Sequence, residues 1–202
     1  YLVETYEKFK KLKKKSVIHN FEEVFSSTTH FSLVDKFNNV LSATSSIESS
    51  FGSRLFTNGF FLNNQLTDFS FKITDDSGVL IKNRPQAEKK PLSSMSPLII
   101  FDNNKNFYMT VGSPGGKAII SYVFKSLIST LYLNKNIERA INEPNYIKIK
   151  DKIFVETDSL RDIVKQNAFK RNLTSGLAII IKKKKNFEAV ADSRRDGTVR
   201  GN

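Results

Sequence analysis

The sequence predicts an α+β protein built on antiparallel sheet. Apolar residues alternate with period two on both sides of a central stretch whose period is helical, so strands precede helices and strands follow them. The strand runs come in pairs joined by short polar turns, the pattern of hairpins. A regular strand–helix–strand alternation, which would build a parallel sheet, is missing.

Apolar positions at Leu2, Val3, Tyr6, Phe9 and Leu12 give the first 15 residues a helical spacing, and residues 16–27 read as a polar connector. Thr28 to Asp35 alternates as a strand, Lys36-Phe37-Asn38-Asn39 is turn chemistry, and Val40 to Ser46 returns as its partner. Phe60-Phe61-Leu62 is expected to be a short buried run. Residues 70–90 lack a period, and Thr74-Asp75-Asp76-Ser77-Gly78 and Arg84-Pro85 mark them as loop. A second hairpin spans Pro97 to Val111 and leads into Gly112-Ser113-Pro114-Gly115-Gly116. Lys117 to Leu133 is helical, and a shorter helix, Ile137 to Asn142, stops before Pro144. Tyr146 to Val155 reads as a hairpin about Lys150-Asp151-Lys152. Ser159 to Phe169 is expected as helix with Thr157, Asp158 or Ser159 as its cap. Leu177 to Val190 closes the series as a hairpin with Lys182 to Lys185 at a solvated tip.

Composition narrows the chemistry. The 202 residues suffice for a domain with a real core, and 39% hydrophobic with 26% charged residues is a globular balance. The chain opens on Tyr1-Leu2-Val3 without Met and reads as part of a longer one. With no Cys there is no disulfide, Cys-based metal site or Cys nucleophile, and two histidines make an ordinary zinc site a poor fit. The net charge of +12 raises nucleic acid as a partner. The charge, however, sits in compact runs at Lys10 to Lys15 and Lys182 to Lys185 without a nucleic-acid motif, so no nucleic acid is expected. No apolar run approaches the ~18 residues of a membrane span.

Three features could carry catalysis. Ser26-Ser27-Thr28-Thr29 places four hydroxyls at the start of a strand. His30 shares the Thr28 face of that strand, which does not supply the approach a Ser–His relay needs, so it reads as a hydrogen-bonded strand residue. A Thr activated by its own N-terminal amine is compatible with the segment, but residue chemistry alone does not select it over strand punctuation. Gly115 and Gly116 either form a strand-to-helix turn or present N–H groups to developing negative charge. The three serines of PLSSMSP (91–97) are either loop residues or ligands for a carboxylate.

Six segments in order change the balance: TTHFSLVDK (28–36), LSATSSIESSFGS (41–53), GFFLNNQLTDFS (59–70), KPLSSMSP (90–97), GSPGG (112–116) and DSRRDG (192–197). Together they resemble the small subunit of the γ-glutamyltransferases (γ-glutamyl transpeptidases). GFFLNNQL and RRDGT are also similar to capsule poly-γ-glutamate depolymerases. The resemblance implies an N-terminal nucleophile hydrolase, a four-layer αββα sandwich. It implies that residues 1–27 are the tail of a large subunit, that 28–202 form the small catalytic subunit, and that Thr28 attacks the Ser27 carbonyl to free its own amine.

By the same resemblance, Ser46 assists Thr28, and Gly115 and Gly116 form the oxyanion hole. Gln65, Asp68 and Glu48 bind the α-amino group of a γ-glutamyl donor, and Ser93 and Ser94 its α-carboxylate. Glu48 lies two residues past Ser46, which on an extended chain is the same face. Arg194 and Arg195 are acceptor-side or structural. The implied partners are the large subunit, which carries the carboxylate-binding Arg absent here, glutathione-like donors, and amino acid or peptide acceptors. No metal or cofactor is implied, and a periplasmic or secreted location is. Lys117-Ala118 departs from the Ser-Arg or Asn-Arg common after GSPGG. The 70–90 loop lacks the Tyr of a lid found in many bacterial relatives.

Overall fold

The structure is a computed structural model that describes residues 27–164 and 168–201. The helix expected over 1–15 and its lysine run lie outside the described residues.

The first hairpin pairs β1 (Thr28–Val34) with β2 (Val40–Ser46), in the register Thr28↔Ser46 to Val34↔Val40. Its turn is set by Asp35, whose Oδ1 accepts from the N–H groups of Phe37 and Asn39, each at 2.8 Å. The usual polarity of a hairpin is inverted. Thr28, His30 and Ser32 point inward, while Phe31 and Leu33 are 49% and 51% exposed. A polar strip therefore faces the rest of the domain and an apolar strip faces away from it.

A minimal hairpin, β3 (Phe56–Thr57) with β4 (Phe60–Phe61), follows. Asn58 and Gly59 both have positive φ, the requirement of a type I′ turn. The run at 60–62 is not buried as expected: Phe60 and Leu62 are exposed. The Phe61 ring instead stacks edge-on with Phe51 and Phe56, at 5.3 and 5.1 Å between centroids.

The central sheet has four antiparallel strands in the order β11-β10-β6-β5, from β5 (Leu98–Phe101), β6 (Phe107–Gly112), β10 (Ala178–Lys183) and β11 (Asn186–Ala191). Alternation sorts its faces. Met109, Val111, Ile179 and Ile181 are buried in one apolar cluster, while Thr110 Oγ1 meets Ser32 Oγ of the first hairpin at 3.3 Å. The cluster is completed by α1 (Ile119–Leu127) and α2 (Ile137–Asn142). On α1, Ile119, Tyr122, Val123 and Ser126 form a buried helical stripe at i, i+3, i+4, i+7, and Lys125 is buried beside it. Each fully buried aliphatic side chain contributes roughly 1.5–3 kcal/mol. A wider turn at Ile128–Tyr132 ends the α1 segment. Helices, central sheet and first hairpin thus make three successive layers, α, β and β.

At the end of α2 two carbonyls meet two cations, buried Lys125 and half-buried Arg194. Lys125 Nζ donates to Ile141 O (3.2 Å) and Glu143 O (2.5 Å), and Arg194 donates to the same two carbonyls at 3.0 and 3.1 Å. Burial drops the Lys125 ammonium to about 8, with Arg194 pushing the same way. A small sheet joins β7 (Tyr146–Ile149), β8 (Lys152–Val155) and β9 (Ala168–Lys170), with β9 parallel to β8. The helix expected over 159–169 is corrected accordingly. Among the described residues α3 covers Asp158–Val164, and Phe169 belongs to β9, because pairing with β8 overrides the helical pattern. The expected cap is present: Thr157 Oγ1 accepts from Leu160 N–H at 3.4 Å.

Candidate active site

Thr28 opens β1, and its Oγ1 lies 3.0 Å from Ser46 Oγ directly opposite on β2. Ser46 Oγ also accepts from the Glu48 N–H at 3.0 Å, which fixes the serine hydroxyl. Ser27, the residue before Thr28, is held as well. The Ser27 carbonyl accepts from Ile47 N–H (3.2 Å), and the Ser27 N–H donates to Glu48 O (3.3 Å).

His30 sits one inward position along. Its ring nitrogens lie 2.8 Å from Thr44 Oγ1 and 3.1 Å from Ser32 Oγ. Burial lowers its pKa to about 4, so the ring is neutral at ordinary pH. As the sequence suggests, it is a hydrogen-bonded strand residue. It also explains Gly112, where a Cβ would lie 2.1 Å from His30 Cε1. The nucleophile strand thus packs against the first residue of the glycine loop.

That loop is held from two more sides. Ser113 Oγ accepts from Gly176 N–H at 3.1 Å, and the Tyr122 ring lies under Gly115, where a Cβ would be 2.6 Å from Cε2. Gly115 has φ +140, which only glycine adopts readily. Gly116 begins the short turn that leads into α1. Burial pushes the Tyr122 phenol up to about 12.

Glu48 reaches the site by a different route from the expected one. β2 ends at Ser46, and Glu48 has a left-handed backbone, φ +69, so it is not an extended neighbour on the Ser46 face. Its Oε2 accepts from Asn64 Nδ2 at 2.7 Å and from Ser49 Oγ. Asn64 immediately precedes the short turn Gln65–Asp68, in which Gln65 Nε2 donates to Asp68 Oδ2. Burial raises the Asp68 carboxyl above the usual range; the Gln65 hydrogen bond opposes this, and the Glu48 charge adds to the rise. A carboxyl that burial and a neighbouring carboxylate make costlier to ionise is one that a bound cation stabilises.

Ser93 and Ser94 lie in the extended segment before β5. Ser93 Oγ accepts from Met95 N–H at 3.2 Å. Asn83 connects this segment to the Asp68 turn: its Nδ2 donates to Asp68 O (2.6 Å) and its Oδ1 accepts from Leu92 N–H (3.0 Å). Asn64 and Asn83 were not among the residues expected from sequence. Only the Asn-Asn pair before Gln65 hinted at the first.

Arg194 sits in an ion-pair cluster. It pairs with Glu156 at 2.6 and 2.9 Å and with buried Asp192 at 3.2 Å, besides its bonds to α2. Arg195 Nε donates to Thr174 O at 3.1 Å, beside Gly176.

A family model described as Gamma-glutamyltranspeptidase matches residues 5–201. The glutathione hydrolase proenzyme of Bacillus subtilis (strain 168) is 34% identical over 192 residues, covering 89% of this chain and 32% of that protein. The capsule biosynthesis protein CapD proenzyme of Bacillus anthracis is 27% identical over 193 residues, 90% of this chain and 34% of that one. The chain thus spans about a third of the length of these curated relatives. Among solved structures, a Helicobacter pylori gamma-glutamyltranspeptidase mutant superimposes with TM-score 0.72 at 31% identity, over 83% of this chain and 100% of that chain. The fold is that of the N-terminal nucleophile hydrolases, and the described layers are three of its four. The chain belongs to the gamma-glutamyltranspeptidase family.

Proposed function

We propose that these residues are the catalytic part of a self-cleaving γ-glutamyltransferase and glutathione hydrolase. The observation that carries the reading is the Thr28–Ser46 hydroxyl pair at 3.0 Å, at the start of a strand whose preceding residue is hydrogen-bonded through both its N–H and its carbonyl. Self-cleavage before Thr28 frees an amine beside Oγ1. That amine takes the hydroxyl proton as Oγ1 attacks the γ-amide carbon of the donor. Gly115 and Gly116 N–H groups receive the developing oxyanion. Glu48, Asp68 and Gln65 hold the donor ammonium, and Ser93 and Ser94 its carboxylate. Water, or the amine of an amino acid or peptide, then discharges the γ-glutamyl ester.

The exposed apolar strip of β1, with Leu41 of β2 at 46% exposure, is the surface that a large subunit from the same precursor would cover. Export to the periplasm or beyond belongs to the same reading. Among the described residues no helix is long and apolar enough to cross a membrane. Likeness to the CapD proenzyme favours one second reading, poly-γ-glutamate depolymerisation or transpeptidation with the same nucleophile.

The test uses the full precursor and its Thr28→Ala variant with a chromogenic γ-glutamyl anilide, with and without glycylglycine. The wild-type protein should cleave, release anilide, and do so faster with glycylglycine; Thr28→Ala should remain whole and inactive. Anilide release by Thr28→Ala would refute the assignment. Release of oligomers from poly-γ-glutamate with little anilide turnover would select the second reading.

A further inference from the structure

The hydrogen bonds around Ser27 are not those of a regular ladder. In an unbroken antiparallel pair Ser27 and Ile47 would exchange both bonds. Here Ile47 N–H donates to Ser27 O at 3.2 Å, but Ser27 N–H goes one residue further, to Glu48 O at 3.3 Å. Two residues beyond β2 therefore oppose one before β1, which is a β-bulge at the peptide that self-cleavage would break. Glu48 makes the bulge possible through its left-handed backbone, φ +69. The same turn aims the Glu48 N–H at Ser46 Oγ, 3.0 Å away, and Ser46 Oγ lies 3.0 Å from Thr28 Oγ1.

We propose that the backbone N–H of Ile47 is the oxyanion donor of the self-cleavage step, while the turn at Glu48 draws the Ser27 N–H away from Ile47 and fixes Ser46 Oγ beside the nucleophile. This rests on the self-cleavage reading above. As Thr28 Oγ1 bonds to the Ser27 carbonyl carbon, charge moves onto the carbonyl oxygen that Ile47 already contacts, and that hydrogen bond becomes charge-assisted. The Ser27 C–Thr28 N bond then breaks, and the hydroxyl proton ends on the departing nitrogen. The product is a Ser27 ester of Thr28 Oγ1 with a free amine. Water hydrolyses that ester, leaving a Ser27 carboxylate and the restored hydroxyl. Processing and turnover thus use different donors: Ile47 for the chain's own carbonyl, Gly115 and Gly116 for the substrate's.

The experiment follows cleavage of freshly made full precursor by gel over time, for wild type, Ile47→Pro and Ile47→Ala. Proline lacks the N–H; alanine keeps it. Loss of one oxyanion donor costs about 10²–10³-fold, so Ile47→Pro should cleave at least about 100-fold slower and Ile47→Ala within about 3-fold of wild type. Hydroxylamine, which cleaves an ester once formed, should not rescue Ile47→Pro, because the blocked step is attack. Should proline prevent folding, Glu48→Gly and Glu48→Val decide. Both lose the carboxylate and keep the Ile47 N–H, but glycine supports the left-handed turn and β-branched valine opposes it. Valine should therefore slow cleavage at least about 10-fold relative to glycine. Ile47→Pro cleaving at the wild-type rate, or Glu48→Val matching Glu48→Gly, would overturn the proposal. A wild-type precursor that never cleaves before Thr28 would overturn the self-cleavage reading itself.

Discussion

Replacing Glu48 by Ala removes one of the two carboxylates proposed to hold the donor ammonium. The Glu48 carboxylate accepts from Asn64 and Ser49 on Oε2, and a carboxylate has room for about four such bonds, so capacity for an ammonium remains. A hydrogen bond to a charged group is worth about 1.5–3 kcal/mol. At about 1.4 kcal/mol per decade that is a fall in kcat/KM of about 10- to 100-fold. The backbone should not add to it, since Ala at φ +69 is no more strained than Glu. Self-cleavage should therefore survive. Removing the Glu48 charge also takes away one of the lesser causes that raise the Asp68 carboxyl, which leaves Asp68 as the residual ligand. Glu48→Gln keeps an acceptor and should lose only about 3- to 10-fold. The assay is initial-rate donor kinetics with a γ-glutamyl anilide on fully cleaved enzyme. The loss should fall mostly on KM, because the ammonium contact exists before and during the reaction. An unchanged kcat/KM would make Glu48 a solvated surface charge. A loss in kcat alone would mean it acts on the chemistry, not on binding.

Gly115→Ala forces a side chain into the Tyr122 ring at φ +140 and should displace the oxyanion donors, with kcat falling about 100-fold or more; near-wild-type kcat would remove Gly115 from that role. Arg194→Met leaves Asp192, 1% exposed, without its guanidinium, and should cost about 3–5 kcal/mol in denaturant unfolding; a loss under about 1 kcal/mol would contradict a buried charge cluster. The folded pKa of His30, about 4, lies below its ordinary 6.5. Between these values the unfolded chain takes up a proton that the folded chain refuses, so the stability His30 permits is full above pH 6.5 and falls as pH drops toward 4. The Tm advantage of wild type over His30→Gln should shrink across that window and stay constant above it; a difference independent of pH would refute the shift.

The hairpins were legible because their turns carry the signal locally: Asp35 and Asp102 each cap their own loop through main-chain N–H groups. The helix with the Ile119, Tyr122, Val123 and Ser126 stripe was legible from its period. What the sequence hid depends on partners far along the chain. Nothing in Leu160 to Phe169 says that Ala168–Lys170 will find β8. Phe60 and Leu62 are apolar but exposed, because hydrophobicity names a tendency and not the surface that covers it. Lys125, on a helix face that is otherwise core, is buried because two α2 carbonyls receive it. At the site, Thr28 and Ser46 face one another as simple strand register dictates, whereas Glu48 arrives through a bulge that residue spacing cannot reveal. Asn64 and Asn83 act by joining segments, and such side-chain bridges carry no periodic mark.

The central claim is that Thr28 is both the new N-terminus and the nucleophile. Its most direct test is mass spectrometry of the precursor after incubation with an electrophilic glutamine analogue such as a diazo ketone. The account predicts a small fragment beginning at Thr28, with one equivalent of label on that residue and none in Thr28→Ala. A fragment that begins elsewhere, or label on any other side chain, would contradict it.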